Sequence, residues 1–556
     1  MVAIMYIERV KSKQKNKVYQ QILLRESYRE PGAARSAVKK RTLLNLTHHP
    51  SEVVEAIELA LKHKDDLSAL VSLKDVKMAQ GQSLGGVYTI FQLARRLGIE
   101  KALGTDRQGK LALWQVIARV LDQGSRLSAV RLAKRYGVSA VLDFDRGFNE
   151  DDLYSNLTWL AEHQEAIENR LFAQRRSGEP PELFLYDVTS SYLEGEHNEL
   201  ADWGYSRDKK RGKKQIVIGL LCDDEGDPVS PEVFTGNTSD LSTFESQVKK
   251  AAHRFGCERV TFVGDRGMIK SGQIEDLSEA GFHYITAITK SQIRSLIKQG
   301  VFQLGLFDEA LCEVEQDGVR YILRKNPIRA AEMAQSRSSR LAALKDLVDQ
   351  QNQYLTEHPR ADPYKAWQKV SEKQARMHLG AWVTVTAKDR QIRIEVDEQY
   401  PAEMAELDGC YALKTDLPLE AADTETVHAR YKDLALVERA FRTCKMTHLE
   451  VRPVFVRTEA NTRGHVLVVM LAYLIVRTLQ RAWVNFDLTV KEGLEDLNRL
   501  CAVEVSVKDK ASCLKLPSPA PQTKDLLDSL DINLPPVLPI STIKVDTKKK
   551  LKSRRK

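Results

Sequence analysis

No cysteine of this 556-residue chain stands two residues from another, and none joins histidine at the spacing of a zinc site. The seven cysteines, Cys222, Cys257, Cys312, Cys410, Cys444, Cys501 and Cys513, therefore read as small buried side chains in a reducing compartment. Long hydrophobic runs are also missing. The longest, 466–476, is eleven residues, against roughly 20 needed to cross a bilayer. It is expected as a buried helix, with no membrane partner. Residues 1–10 are too short and too interrupted by charge for a secretory leader. There is no internal repeat. No glycine-rich phosphate loop occurs either; the isolated Gly264-Asp265-Arg266-Gly267 is not a Walker motif, so no nucleotide cofactor is expected. Charge of one sign is scarce outside one end. The net charge is +8, but residues 544–556 hold eight bases and one acid, leaving about +1 for the rest. That end reads as a basic arm able to meet nucleic-acid phosphates without reading sequence, or as a solubilising tail.

What is present is a set of three short stretches. Two are apolar runs of strand length, 183–189 and 260–267, read as ending on Asp187 and Asp265. The third, 431–445, reads as one helix carrying Tyr431, Glu438 and Lys445 at seven-residue spacing, nearly two turns, so that they share a face with Arg442. Taken alone, Glu438 and Arg442 would make an ordinary solvated pair. Two strand-borne carboxylates and one helix-borne carboxylate make an oxygen donor set suited to Mg²⁺. Two such ions would serve phosphoryl transfer. Asp187, Asp265 and Glu438 are the expected catalytic and metal-binding trio, and DNA is the expected substrate.

In chain order, 5–46 alternates as two or three strands with a turn at 13–17. Helices follow at 114–121 and 127–136, an arrangement like a helix-turn-helix with Arg126, Arg131, Lys134 and Arg135 on one side, or a plain helical hairpin. Another helix is expected over 151–173. After the first Asp strand comes the basic stretch holding Arg207, Lys209, Lys210, Arg211, Lys213 and Lys214, expected on DNA together with Arg266. The succession from 183 to 288 is β-β-β-α-β-α-β. The 173 residues from Asp265 to Glu438 are too many for a loop and imply an inserted subdomain. Six segments result: a β-rich 1–47; a helical, DNA-binding 48–178; the first catalytic part, 179–300; an inserted α+β piece, 301–408; the second catalytic part, 409–505; and a Pro-rich linker with the basic tail, 506–556.

The three motifs together resemble the DDE transposases of bacterial insertion sequences. The branch is the one with a β-containing insertion and the signature Tyr-x2-Arg-x3-Glu-x6-Lys. Tyr431, Glu438 and Lys445 match the signature, while Leu434 stands where arginine is expected. Tyr186-Asp187-Val188-Thr189, Gly264-Asp265-Arg266-Gly267 and 236–240 also look family-like. The resemblance implies an α/β fold with a ribonuclease H-like catalytic domain. It implies two Mg²⁺ ions, with Mn²⁺ as an accepted substitute, held by Asp187, Asp265 and Glu438. Water would cut the transposon end, and the freed 3′-hydroxyl would attack target DNA, by cut-and-paste through a hairpin. Tyr431 and Lys445 would hold the terminal phosphate, with Arg442 or Arg439 in place of the missing arginine. A homodimer on paired double-stranded ends and a bacterial cytoplasmic, nucleoid-associated location follow. Trp382 reads as core packing, with stacking on a flipped base as the alternative. The competing functions are a nuclease of the same fold without strand transfer and an inactive, domesticated DNA-binding protein.

Overall fold

The computed structural model describes residues 4–14, 17–28, 38–63, 76–176, 182–208, 210, 212–250, 254–255, 260–266, 268–269, 271–279, 281–308, 310–445, 449–453, 455–507, 511–538 and 545. Of the tail at 544–556, only Val545 is among them, and Lys209, Arg211 and Gly267 lie outside them. The chain forms two compact units.

The first unit takes Met1–Gln82, Cys501–Ser518 and Pro535–Ile540. Its strands Ile4–Gln14, Lys17–Tyr28 and Lys39–Asn45 form an antiparallel sheet in chain order. Helix Ser51–Lys62 lies against the first strand, where Arg9 makes a two-pronged bond to Glu58 at 2.7 and 3.2 Å. A second sheet has the order Val537–Leu538, Ala511–Lys515, Cys501–Val507, Val76–Ser83. The region expected as a Pro-rich linker, 506–556, thus contributes the strands Ala511–Lys515 and Val537–Leu538, and Cys501–Val507, expected mostly in the second catalytic part, belongs to this unit, Val503 and Val505 alternating with polar neighbours as in a half-buried strand.

The second unit takes Ser83–Leu500, Pro519–Leu534 and Ser541–Lys556. Its helical layer comprises Gly85–Arg96, Arg107–Leu121, Arg126–Arg135, Glu150–Glu162 and Gln164–Arg176. The helix expected over 151–173 is two helices, parted at His163. Arg107–Leu121 is buried along most of its length, and Arg126 is also buried. These two helices are therefore a hairpin within a bundle, and Arg126 is not on an outward basic side. The centre of the layer is Glu459–Ala482, begun by Thr458, whose side chain accepts the Asn461 amide. Its length and composition would suffice to cross a membrane, but 83% of its apolar window is buried by the chain itself. Pro521–Asp528, expected to be loosely structured, is a helix whose Leu526 carbonyl accepts the Trp483 indole N–H at 3.3 Å. Proline at its first position costs no helical hydrogen bond.

The large sheet has eight strands: β1 Leu183–Tyr192, β2 Gln215–Cys222, β3 Pro228–Phe234, β4 Thr261–Gly264, β5 His283–Ala287, β6 Cys312–Gln316, β7 Val319–Lys325 and β8 Cys410–Thr415. Their order is β6-β7-β8-β5-β4-β1-β2-β3. β1 runs parallel to β4, and β4 parallel to β5; every other pairing is antiparallel. Period-two alternation sorts the side chains of β1. Leu183 and Leu185 join the core shared with the helical layer, whereas Phe184, Tyr186 and Val188 join Phe244, Phe262 and Leu277 on the other face.

Two expectations change here. β7 belongs to the large sheet and not to a separate insertion, and β8, which the sequence reading passed over, joins β7 to β5. What stands apart is helices Pro327–Glu357 and Pro363–Arg376 with the ribbon Val383–Lys388/Gln391–Val396. They share their own core, in which Trp382 is 9% exposed among Leu344, Val370 and Ile392. Trp382 is thus a packing residue.

Candidate active site

Asp187 reaches the site through register. Tyr186 pairs with Gly264, so Asp187 and Asp265 follow side by side on neighbouring parallel strands. β4 ends at Gly264, but β1 continues to Tyr192 because β2 goes on pairing with it as far as Gln215. Asp187 is therefore mid-strand, not at a strand end as expected. It has the parity of Leu183 and Leu185, and so faces the layer where Val437, Ala440 and Phe441 of helix Leu434–Lys445 are buried. Glu438 is on that helix.

The expected single helix over 431–445 is two helices. Thr424–Lys432 ends at Asp433, whose amide is shared between the Ala429 and Arg430 carbonyls, and Leu434–Lys445 starts anew. Tyr431 and Glu438 are on different helices, so the seven-residue spacing does not place them along one helical face. Tyr431 still meets the acids: its hydroxyl donates to Asp265 Oδ1 at 3.2 Å.

Asp187, Asp265 and Glu438 line one open cavity of about 1040 Å³ together with Arg207, Lys210, Arg442 and Lys445. Burial pushes the Asp187 carboxyl up to about 7, against the pull of the Val188 amide at 2.8 Å, and Asp265 and Glu438 add to the rise. Asp265 is exposed and also accepts the Arg266 amide at 2.7 Å. Burial, then Asp265, holds the Tyr431 phenol above its ordinary range, so it stays a donor. Burial draws the Lys445 ammonium down, although it donates to Asp208 at 2.8 Å. The Arg207 guanidinium pairs with Asp240, and Lys210 lies over the Tyr192 ring, 5.8 Å from its centre.

The other expected contacts are placed elsewhere. Arg266, Lys213 and Lys214 are exposed and do not line the cavity, and Leu434 is half-buried against the core. Arg442 lines the cavity and Arg439 does not. Sequence reasoning missed Tyr192, Asp208, Glu450 and Arg452, which also line it. Asp208 was hidden by the surrounding bases; the segment 449–453 carried no spacing signal.

Three carboxylates on one cavity suit a hard divalent cation in kind, and the Asp187 carboxyl is raised first by burial, with Asp265 and Glu438 adding lesser shares. Among the described residues no group of three or more His, Cys, Asp or Glu is close enough to form a ready-made metal cage. The donors therefore fit by chemistry and by a shared cavity, not as a preformed coordination shell.

The chain matches the family described as Transposase DDE domain over residues 178–475, and the IS1634 family transposase N-terminal domain over 7–70. No curated protein matches it in sequence. A piggyBac transposase synaptic complex with hairpin DNA is similar over 76% of this chain and 82% of its own, at 9% identity and a TM-score of 0.34. DDE transposases generally use divalent metals. With the DDE match spanning more than half of its length, the chain belongs to the DDE transposases of insertion sequences, metal-dependent enzymes that cut DNA.

Proposed function

We propose that Asp187, Asp265 and Glu438 are the catalytic carboxylates and hold two Mg²⁺ ions, with Mn²⁺ as a substitute. The single observation carrying this reading is that three acids from three separate elements line one cavity inside the DDE-matched region. The order β5-β4-β1-β2-β3, with β1 and β4 parallel, supports reading this part of the sheet as ribonuclease H-like. Helix 434–445 then plays the part of the late acidic helix.

When bound, the cations supply Lewis-acid stabilisation of charge on the phosphate and a deprotonated nucleophile at neutral pH. The remaining work belongs to the chain. The Asp187 carboxyl, held near 7 by burial, gives up its proton when a positive partner arrives. The Tyr431 phenol orients Asp265 through its hydrogen bond. Arg442 and Lys445 stand on the cavity wall as phosphate clamps, and Arg207 and Lys210 extend that wall toward the duplex backbone. The reaction in this reading is hydrolysis of a phosphodiester at the element's end. The freed 3′-hydroxyl then attacks target DNA, in a cut-and-paste course through a hairpin. A homodimer pairs the two double-stranded ends. Segment 48–178 contributes to end recognition, and the basic tail at 544–556 adds further DNA contacts.

The test is a labelled duplex spanning the element's end, incubated with full-length protein in Mg²⁺ or Mn²⁺. Wild type should cleave at the end. Glu438→Gln and Asp187→Asn should lose at least about a thousandfold in cleavage rate while binding the duplex within a few-fold of wild type. Variants that bind but still cleave would overturn the assignment, as would a wild type that binds and never cleaves.

A further inference from the structure

We propose that Arg452, backed by the buried Arg119 and Arg126, forms a binding site for a DNA backbone phosphate, and that Glu450 occupies this site in the free protein. The inference rests on the reading of the neighbouring cavity as the place where DNA is cut.

The first observation is a pair of buried cations that make no ion pair among the described residues, although Asp122, and after it Glu450, lies in the field of Arg119. Arg119 and Arg126 are each 4% exposed. Arg119 donates to the Gln123 and Gly124 carbonyls at 2.8 and 3.1 Å. Arg126 donates to His465 Nδ1 at 3.1 Å. Neither makes an ion pair among the described residues, and the Nε of each has no partner. His465 cannot supply negative charge; burial and the two arginines keep it neutral. Burial likewise draws Arg119 to about 10 and Arg126 to about 9. A buried charge is costly unless an anion compensates it.

The second observation locates that anion. A crevice of about 10 Å³, room for roughly one water, lies between these two arginines and is also lined by Glu450 and Arg452. Glu450, Arg452 and Gln123 line the neighbouring cavity as well, so the crevice adjoins it. Arg452 sits at the boundary. It makes a two-pronged bond to the Glu450 carboxylate, bonds the Tyr192 hydroxyl and stacks over the Tyr192 ring at 5.1 Å.

The third observation is that Glu450 is held at a backbone cost. Its φ is +42°, in the left-handed region that a glutamate rarely enters. Its carboxylate lies within the field of Arg119 as well as that of Arg452. A planar two-oxygen anion on a guanidinium fork is the geometry a phosphate would reproduce. At about 10 Å³ the crevice has no space for a phosphate while the Glu450 carboxylate lines it on the Arg452 fork. The carboxylate therefore stands where the phosphate belongs and is displaced by it. Since this cavity receives DNA, the displacing anion is a phosphate of the bound duplex.

The experiment measures binding of full-length protein to the labelled end duplex in Ca²⁺ across a salt series. Thermal unfolding of each variant is recorded alongside. Glu450→Gln should bind about three- to tenfold tighter than wild type with an unchanged salt slope, because the phosphate contact is the same and only its competitor is removed. Arg452→Ala should bind more weakly, with a slope shallower by about 0.9, the loss of one phosphate contact. In the double variant the gain from Glu450→Gln should vanish. A gain that persists without Arg452 would show that Glu450 acts only through net charge, and would overturn the proposal. So would a Glu450→Gln protein that is folded and binds no tighter. Wild-type binding and metal-dependent cleavage in the same preparation check the underlying reading separately. If they hold while the Glu450 result fails, only the phosphate site is wrong.

Discussion

Gly226 tests whether the placement of Glu438 is set by the sheet beneath it. It closes the β2–β3 turn at φ +74°, where its amide donates to the Asp223 carbonyl at 2.9 Å. A Cβ on Gly226 would lie 2.4 Å from the Cβ of Leu436, two residues from Glu438 on the same helix. Gly226→Ala therefore adds two costs. The left-handed backbone costs about 1–2 kcal/mol for a residue with a side chain. The clash costs about 1–3 kcal/mol more if the helix holds its position. A helix that yields moves Glu438, and a displacement near 1 Å at a reacting centre costs on the order of a hundredfold in rate. Thermal unfolding and end cleavage in Mg²⁺ separate the two. Gly226→Ala should lose about 2–5 kcal/mol in total if the helix resists, or less stability and about a hundredfold in cleavage if it shifts. Adding Leu436→Ala to Gly226→Ala removes the clash but not the backbone cost. Cleavage should then recover while the backbone share of the stability loss stays. A Gly226→Ala enzyme that loses neither stability nor rate would refute the reasoning. So would a double variant that remains slow although folded.

Asp187 predicts a pH dependence. Its folded carboxyl is held up to about 7, above the ordinary carboxylate range, so ionising it costs folding free energy. That cost is absent below about pH 4, grows toward pH 7 and is complete above it. In chelator, Asp187→Asn should therefore match wild type in Tm near pH 4 and exceed it increasingly up to pH 8, by an amount equivalent to about 2–4 kcal/mol; a constant gap would show that the carboxyl titrates normally. Trp382→Ala should cost about 3–5 kcal/mol within the core of the 327–396 piece, seen as faster proteolysis there, with Trp382→Phe largely restoring resistance. If the Ala variant keeps resistance and loses only DNA affinity, Trp382 is a DNA contact and not a packing residue.

The strands and acids of the site were legible in the sequence because their signals are local. Apolar runs of strand length gave β4 and the first part of β1, while the continuation of β1 to Tyr192 was not read. The ribonuclease H-like order placed Asp187 and Asp265 on neighbouring strands, but the register itself, with Tyr186 opposite Gly264, depends on parallel pairing between segments far apart in the chain. The helix break at Asp433 was also invisible, since no proline or glycine marks it and Asp433 is the one weak helix former between Lys432 and Leu434-Ala435-Leu436. β8 escaped notice because Cys410–Thr415 is short and interrupted by Lys414, yet it is buried between β7 and β5. Trp382 was assigned correctly to the core by its apolar neighbours, whereas Arg126 was misassigned to an outward face. A helical wheel places a side chain on one side but does not say which other helix covers that side.

The charge pattern has a mechanical meaning beyond the total. Outside the tail the chain is nearly neutral, and among the described residues the cavity holding Asp187, Asp265 and Glu438 is lined by five bases, Arg207, Lys210, Arg442, Lys445 and Arg452, and by five acids, those three with Asp208 and Glu450. Three of the bases are held by the chain's own acids, Arg207 by Asp240, Lys445 by Asp208 and Arg452 by Glu450. A cavity of bare cations would repel itself in the free protein and would take any polyanion. Pairing removes that repulsion and sets a threshold, because a DNA strand must replace several carboxylates at once. One phosphate displacing one acid gains little, since the new ion pair differs little from the old. A duplex backbone presents phosphates on a fixed repeat and can replace several together, with the release of its own counterions as the added driving force. The acids among the bases therefore favour an extended, correctly seated backbone over isolated anions. Asp208→Asn and Glu450→Gln together should weaken that preference, measured as a larger gain in affinity for inorganic phosphate or short oligonucleotides than for the full end duplex.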